Sequence, residues 1–289
     1  MTQAQMTCMT EPDAASPRRA LLKASDLCAG YDRRCIVQHV SCELSPGELL
    51  GVIGPNGCGK STLLKTLSGN LMPTRGHVEL DGRALSRWSR PERARRLAAL
   101  PQHPDAPVGM TVRDLVQCGR APHARWLQWR HHDDRFAIEQ AIAECRLDAL
   151  TDRPLAELSG GERQRAWIAM TLAQQSRVLL LDEPTSALDI GHQLDVMHLL
   201  HAQTRQNDMA IAVVMHDINM AIRFCDRLLV MHRGRLAGQC PIANTRTWSL
   251  LEDVFDVSVE QTAQAPTAPS GCAACCTNML TFNRRQNKT

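Results

Sequence analysis

Short apolar runs alternate with amphipathic stretches along most of the chain. Leu49–Gly54, Val178–Leu181 and Ala210–Met215 are apolar and have the length of buried strands. Lys60–Leu67 and Ile218–Phe224, which follow two of these runs, are predicted helices. Because strands and helices alternate in this order, the sequence predicts an α/β fold with a mainly parallel sheet and helices packed against it.

A segment in the middle of the chain has a helical pattern. Between Thr111 and Leu158, the apolar residues Ile138, Ile142 and Cys145 are spaced at i, i+4 and i+7, so they lie on one helix face. A further helix is predicted from Gly161 to about Ala173. We therefore expect a helical subdomain inserted into the α/β domain.

The two ends of the chain differ from the part between them. Residues 1–23 are mostly polar and contain proline, which predicts a flexible leader. Residues 259–289, rich in Thr, Ala and Pro and later in Arg and Asn, predict a weakly structured tail. A single domain is expected over residues 24–258.

The composition is that of an ordinary globular protein, with 44% hydrophobic and 22% charged residues. A net charge of +3 is too small to indicate a nucleic-acid-binding protein, and 3% aromatic residues argue against base stacking on single strands. No run approaches the ~18 uncharged apolar residues of a membrane-spanning helix, and the N-terminus lacks a secretory signal pattern. We expect a cytosolic protein that reaches a membrane only through a partner.

The chain has 12 cysteines, scattered among the predicted strands and helices. This distribution favours reduced thiols over disulfides. The cluster Cys272, Cys275 and Cys276 is an exception, since its spacing can bind a soft metal. It has no partnering Cys or His pair, so it is a weak indication of a metal site.

Residues 54–61 fit the pattern G-x-x-x-x-G-K-[ST] and lie between a predicted strand and a predicted helix. Glycines allow the backbone to turn so that its N–H groups point at phosphate oxygens. Lys60 would neutralise the β- and γ-phosphates of ATP, and the Ser61 hydroxyl would bind Mg²⁺. A chance glycine-rich turn would lack the surrounding strand and helix. The predicted ATP-binding residues here are Gly54, Pro55, Asn56, Gly57, Cys58, Gly59, Lys60, Ser61 and Thr62.

Two acidic residues follow the apolar run Val178–Leu181. Ligands bind beyond the carboxyl ends of strands in parallel sheets, which places Asp182 and Glu183 beside the phosphate loop. Since successive strand residues point to opposite faces, Asp182 is expected to reach Mg²⁺ and Glu183 to act as general base towards water. The alternative is that Asp182 caps a turn and Glu183 is solvated; the presence of Lys60 argues against it.

Leu158–Arg165 places a serine and two glycines at the start of a predicted helix, which is an anion-binding arrangement. The segment resembles the signature sequence of ABC transporter ATPases. The resemblance implies a P-loop NTPase core with an antiparallel β element near the N-terminus and a helical subdomain at about 103–175. It also implies a head-to-tail dimer, in which one subunit covers the γ-phosphate bound to the other through Ser159, Gly160, Gly161 and Glu162.

Other elements of this family occur in the same order. Tyr31 matches the aromatic residue that stacks on adenine, Gln102 the glutamine that senses Mg²⁺ and the attacking water, and His216 the histidine that contacts the γ-phosphate. Ser186–Asp189 resembles the loop that couples the two sites of the dimer. Each residue alone would more often be structural. The resemblance implies catalytic roles for Lys60, Gln102, Glu183 and His216, and Mg²⁺ ligation by Ser61, Gln102 and Asp182.

Finer similarities point to one branch of the family. Leu158–Asp189, Ile190–Gln193 and His216–Ala221 resemble the ATPases of iron(III)-siderophore importers, most of all the ferric hydroxamate type. Cobalamin or haem import is the alternative, and a soluble ABC ATPase of cofactor assembly is a more distant one. The resemblance implies an integral membrane permease as partner, indirectly a substrate-binding protein, and no nucleic acid. It implies a peripheral location at the cytoplasmic face of the bacterial inner membrane.

The segment after Gln102 resembles the surface that receives the permease in these importers. It includes Gly119–His123, with Trp126 and Trp129 just after it. A solvated helix with two packing tryptophans is the alternative interpretation. Beyond about Val259, the chain no longer matches the family pattern.

Overall fold

The structure, a computed structural model, describes residues 19–32, 34–105, 107–123, 132–186, 188–242, 246–262 and 279–284. The strands are β1 (Leu22–Tyr31), β2 (Arg34–Leu44), β3 (Leu49–Ile53), β4 (Arg75–Leu80), β5 (Arg83–Ala84), β6 (Leu97–Leu100), β7 (Val178–Asp182), β8 (Ala210–Val214), β9 (Arg227–His232), β10 (Arg235–Pro241), β11 (Val257–Thr262) and β12 (Met279–Arg284). The α-helices are α1 (Lys60–Leu67), α2 (Arg90–Ala94), α3 (Val112–Cys118), α4 (His132–Glu144), α5 (Gly160–Ala173), α6 (Ile190–Asn207), α7 (Ile218–Phe224) and α8 (Arg246–Phe255).

The central element is a six-stranded sheet in the order β10-β9-β3-β8-β7-β6. The pairs from β9 to β6 are parallel, and β10 joins the edge of the sheet antiparallel to β9. Every residue of β3, β7 and β8 is buried, because both faces of the sheet are covered. The mainly parallel sheet predicted from the alternating pattern is confirmed.

The two faces of this sheet belong to two apolar cores. Leu179 and Leu181 of β7 contribute to one core, while Val178 and Leu180 contribute to the other. This division follows from the alternation of side chains along a strand. The first core is completed by α3 to α8 and the second by α1 and a second sheet.

The helical insert packs on the first core through the face that the sequence predicts. Ile138 and Ile142 of α4 and the following Cys145 are all buried there. α5 packs against both α3 and α4. The insert is therefore attached to the sheet through the helix that follows the serine–glycine motif.

The second sheet is antiparallel, with four strands in the order β2-β1-β4-β5. Asp81 and Gly82 form the turn between β4 and β5, both with positive φ (52° and 74°), as a two-residue hairpin turn requires. The backbone N–H of Gln38 in β2 donates to the carbonyl oxygen of Gly234 at 2.7 Å. This bond ties the antiparallel sheet to the turn between β9 and β10.

The two ends differ from the sequence prediction. β1 begins at Leu22, and Leu21 and Leu22 are buried, so the ordered domain starts before residue 24. In the tail, β11 pairs antiparallel with β12, so residues 259–262 and 279–284 are strands and not weakly structured chain. Apolar and polar residues alternate over the first four residues of β11, a pattern that favours a strand. Residues 1–18 and the Cys272–Cys276 cluster lie outside the described residues. Among the residues that are described, no helix is both long and apolar enough to span a membrane.

Replacing Ile211 with alanine is expected to destabilise the domain. The Ile211 side chain is fully buried in β8, between β3 and β7, so truncation leaves a cavity that the sheet cannot close. Urea denaturation followed by circular dichroism should show a loss of about 2–5 kcal/mol in the free energy of unfolding. Val108→Ala, at a fully exposed position, is the control and should stay within about 0.5 kcal/mol of wild type.

Candidate nucleotide-binding site

The glycine-rich loop connects β3 to α1, as the sequence predicts. Gly57 and Gly59 have positive φ (75° and 103°), a backbone region that side chains disfavour. A β-carbon on Gly59 would also lie 3.3 Å from the side chain of Ile36 in β2. The absence of side chains therefore lets the loop turn tightly while it stays packed on the antiparallel sheet.

Lys60 is the first residue of α1 and is 5% exposed. Its ammonium donates to the carbonyl oxygen of Gly54 at 2.8 Å and to that of Pro55 at 3.1 Å. These bonds hold the positive charge against the inner side of the loop. Helix α1 adds the partial positive charge of its N-terminus, so the arrangement suits an anionic phosphate chain.

Cys58 lies in the same loop and its thiol is buried. Burial raises the pKa of Cys58 above its usual value, so the side chain is an uncharged thiol at neutral pH. Its backbone carbonyl accepts a bond from the N–H of Gly234 at 3.0 Å. Cys58 therefore anchors the loop to the turn between β9 and β10.

The Ser61 hydroxyl donates to the Asp182 carboxylate at 3.0 Å, which joins α1 to the end of β7. Burial raises the pKa of Asp182, and the hydrogen bond from Ser61 acts in the opposite direction. The hydroxyl and carboxylate oxygens are hard ligands of the type that Mg²⁺ prefers. The donor set therefore fits the predicted magnesium site.

The carboxylate of Glu183, which follows β7, is contacted by side chains that follow two neighbouring strands. Gln102, shortly after β6, donates its side-chain amide to one carboxylate oxygen of Glu183. His216, shortly after β8, places its Nε2 atom 2.5 Å from the other oxygen. Because β6, β7 and β8 are parallel neighbours, the three side chains meet at one edge of the sheet.

The backbone at Glu183 explains how this residue points away from Asp182. β7 ends at Asp182, and Glu183 follows it with φ of 52°, a conformation that costs energy for a residue with a β-carbon. Strand alternation is therefore the wrong reason for the separate directions of the two acids, because a left-handed turn sets the direction of Glu183. Gln102 contacts Glu183 and not the Ser61–Asp182 pair, so its role as a magnesium ligand stays a prediction.

The serine–glycine motif forms a separate cluster at the start of α5. Ser159 is the N-cap, and its hydroxyl accepts a bond from the Glu162 N–H at 3.3 Å while the Glu162 carboxylate accepts one from the Ser159 N–H at 2.9 Å. The backbone N–H and the hydroxyl of Ser159 both donate to the Glu162 carboxylate, and these two bonds lower the pKa of Glu162. Ser159 and Gly160 are exposed, whereas Gly161 is buried. The motif therefore presents its first two residues to the surface.

Tyr31 is the last residue of β1 and is 43% exposed. Its ring is accessible to a planar ligand. Among the loop residues, Asn56 and Gly57 are also exposed, and Thr62 is buried in α1. The structure thus groups Lys60, Ser61 and Asp182, and beside them Gln102, Glu183 and His216. Trp126 and Trp129 lie outside the described residues.

Sequence reasoning missed one residue that supports the site. The side-chain amide of Gln193 in α6 donates to the carbonyl oxygens of Thr185 and Leu188 at 3.2 and 3.0 Å. It fixes the loop that follows Glu183. A polar residue in the first turn of a predicted helix was the available signal, but it does not reveal which carbonyl groups are near.

Comparisons with known proteins agree with this geometry. The sequence model of the family described as ABC transporter matches residues 37–186. The chain is 42% identical to the achromobactin transport ATP-binding protein of Dickeya dadantii (82% of this chain, 88% of the relative). It is 39% identical to the iron(3+)-hydroxamate import ATP-binding protein of Bacillus subtilis (83% and 89%) and 41% identical to a hemin import ATP-binding protein of Rhodococcus jostii (83% and 81%). A solved structure of a metal-chelate type ABC transporter in an inward-facing conformation is similar with a TM-score of 0.75 at 26% identity, covering 91% of this chain and 96% of that one.

Lys60→Ala is expected to abolish ATP binding, because it removes the ammonium held against the loop carbonyls. Titration with a fluorescent ATP analogue should show affinity reduced by about 100-fold or more, as for loss of a charge-assisted contact to phosphate. Lys23→Ala is the control, since Lys23 is exposed on β1. Equal affinities for the two variants would contradict the assignment of the loop.

Glu183→Gln is expected to separate binding from turnover. The amide keeps the size of the side chain but does not accept a proton, so ATP affinity should persist while hydrolysis falls by about 10²–10⁴-fold. Phosphate release and nucleotide titration measure the two quantities. Glu92→Gln, at an exposed carboxylate, is the control. Retained hydrolysis in Glu183→Gln would exclude Glu183 as the base.

Proposed function

This chain belongs to the ABC transporter family, and from that premise we propose that it is the ATP-hydrolysing subunit of an importer for an iron(III)–siderophore complex of the hydroxamate class. The observation that carries the ATPase part is the contact of Gln102 and His216 with the carboxylate of Glu183, beside the Ser61–Asp182 pair. The cargo part rests on the similarity to siderophore import ATP-binding proteins.

The proposed reaction uses the residues at the sheet edge. The loop N–H groups and Lys60 bind the phosphates, and Ser61 and Asp182 would hold Mg²⁺, which neutralises charge on the phosphate oxygens when bound. Glu183 orients the attacking water and accepts its proton. Gln102 and His216 hold the two carboxylate oxygens of Glu183, so the base is fixed before water arrives.

The separate position of the serine–glycine motif supports a head-to-tail dimer as the active form. Ser159 and Gly160 are exposed at the N-terminus of α5, where backbone N–H groups attract phosphate. In the proposed dimer, these residues would contact the γ-phosphate bound to the other subunit. ATP then favours the closed dimer because it contacts both subunits only in that state.

The helical insert supplies the surface proposed to receive an integral membrane permease. Along the chain, α3 and the short helical turn at Ala121–His123 follow Gln102 and precede the rest of the insert. The subunit would then be peripheral, at the cytoplasmic face of the bacterial inner membrane, and a substrate-binding protein would act on it indirectly through the permease.

Haem import is the second candidate, because a hemin import relative is 41% identical to this chain. Its similarity is close to that of the siderophore relatives, so the ATPase domain alone does not separate the two cargo classes. Cobalamin import and a soluble role in cofactor assembly have less support. The distinction has to be made by transport.

Iron uptake by cells lacking this protein tests the proposed cargo. Iron-starved cells are complemented with wild type or Lys60→Ala and are given radioactive iron as hydroxamate, catecholate, citrate or haem complexes. We expect loss of hydroxamate uptake that wild type restores and Lys60→Ala does not, because transport requires ATP. Loss of haem uptake instead would assign the second candidate. Normal uptake of all four would contradict an iron importer while leaving the ATPase assignment intact.

A further inference from the structure

The start of α6 touches the start of α5 at one glycine. A β-carbon built on Gly161 would lie 2.8 Å from both Cγ and Cδ2 of His192, closer than real side chains approach. Gly161 is buried, and its φ is not in the left-handed region. The backbone conformation therefore does not require glycine at this position. The imidazole ring of His192 occupies the space that a side chain would need.

The same imidazole is held by Asp189. Nδ1 of His192 lies 2.9 Å from both carboxylate oxygens of Asp189, and the His192 backbone N–H donates to the same carboxylate at 2.9 Å. These bonds lower the pKa of Asp189, the backbone bond having the largest effect. Asp189 is the N-cap of α6, so the ring is fixed by the residue that ends the loop after β7.

That loop begins at Glu183. Ser186 bonds to the Glu183 carbonyl oxygen through its backbone N–H and its hydroxyl, and Gln193 binds the carbonyl oxygens of Thr185 and Leu188. The bonds made by Ser186 join the start of the loop to Glu183, and the bonds made by Gln193 join the loop to the first turn of α6. Through His192, this unit contacts α5.

Elsewhere the loop and α5 are separated by a cavity of about 200 Å³, lined by Gly160, Gln164 and Trp167 on the α5 side and by Glu183, Ser186 and Leu188 on the loop side. The loop and α5 therefore touch at His192 and Gly161 but are separated by open space near the carboxylate of Glu183. A shift of either element would be transmitted through this contact, because packed groups cannot interpenetrate.

We propose that His192 is a positioning residue, which links the loop carrying Glu183 in one ATP site to the serine–glycine motif that serves the other ATP site. The inference rests on the proposed ATPase dimer. In it, each subunit contributes Glu183 to its own ATP and Ser159–Gly161 to the ATP of its partner. The Asp189–His192–Gly161 contact then couples the two sites within each subunit. This proposal gives a reason for glycine at position 161 other than close approach to phosphate. The missing side chain leaves room for the imidazole of His192.

A double-mutant cycle in the full-length protein tests this role. ATPase rates are measured for wild type, Gly161→Ala, His192→Ala and the double variant. The added β-carbon clashes with the ring, so Gly161→Ala alone should lower kcat by about tenfold or more. In the His192→Ala background the ring is absent, so adding Gly161→Ala should lower kcat by no more than about threefold. A smaller loss in that background is the interaction expected for two residues in contact. Equal penalties in both backgrounds would overturn the proposal and leave phosphate approach as the reason for glycine.

The bond to Asp189 is tested with an asparagine. His192→Asn places an amide near the position of Nδ1, so kcat should recover to within about twofold of wild type. His192→Ala should lower kcat by about three- to tenfold with unchanged affinity for a fluorescent ATP analogue, since His192 does not touch the phosphate loop. An asparagine no better than alanine would also overturn the proposal.

Two controls complete the experiment. His198→Ala removes an exposed imidazole from the same helix and should retain wild-type kcat. Melting curves of all variants show whether a loss of rate reflects unfolding. If wild type shows no ATPase activity that Lys60→Ala abolishes, the proposed function fails; equal cycle penalties in an active protein contradict only the role of His192.

Discussion

Parallel pairing of β3, β8, β7 and β6 forces the chain to leave each of these strands at the same edge of the sheet. The phosphate loop follows β3, Asp182 ends β7, and Gln102 and His216 come shortly after β6 and β8. Residues that are more than 100 positions apart in sequence are thereby within hydrogen-bond distance, such as Ser61 and Asp182, whose separation is 121 positions. The site exists because the buried sheet fixes this edge.

Burial at that edge determines the electrostatics of the site. The ammonium of Lys60 is removed from water and is compensated by two carbonyl oxygens, so its charge stays available to a ligand with more negative charge. The pKa of Asp182 is raised for the same reason, and a bound cation would reverse that effect. Both groups are therefore better satisfied with a nucleotide and a metal ion than without them. This gives the binding of ATP a favourable electrostatic term.

Much of this arrangement could be predicted from the sequence, because it depends on local patterns. The strand, loop and helix around Lys60 and the buried face of α4 follow from glycine spacing and apolar periodicity. The direction of Glu183 could not be predicted, since it depends on one left-handed residue after a strand. The pairing of β11 with β12 was also missed, because the segment between these strands is long and its composition resembles a tail. The contact of His192 with Gly161 depends on the packing of two helices that no sequence pattern relates.

The division of the predicted site residues into two clusters constrains how the chain can work. Lys60, Asp182 and Glu183 form one cluster, and Ser159 and Gly160 are exposed at the end of another helix. A cluster of backbone donors at the surface is well suited to a ligand held by a second molecule. The loop after β7 connects the two clusters within one chain through α6. In the proposed dimer, hydrolysis of the ATP beside Glu183 would therefore shift the backbone N–H groups of Ser159 and Gly160 that face the second ATP. The stiffness of the link through α6 would then determine whether the two ATP molecules are hydrolysed together or in turn.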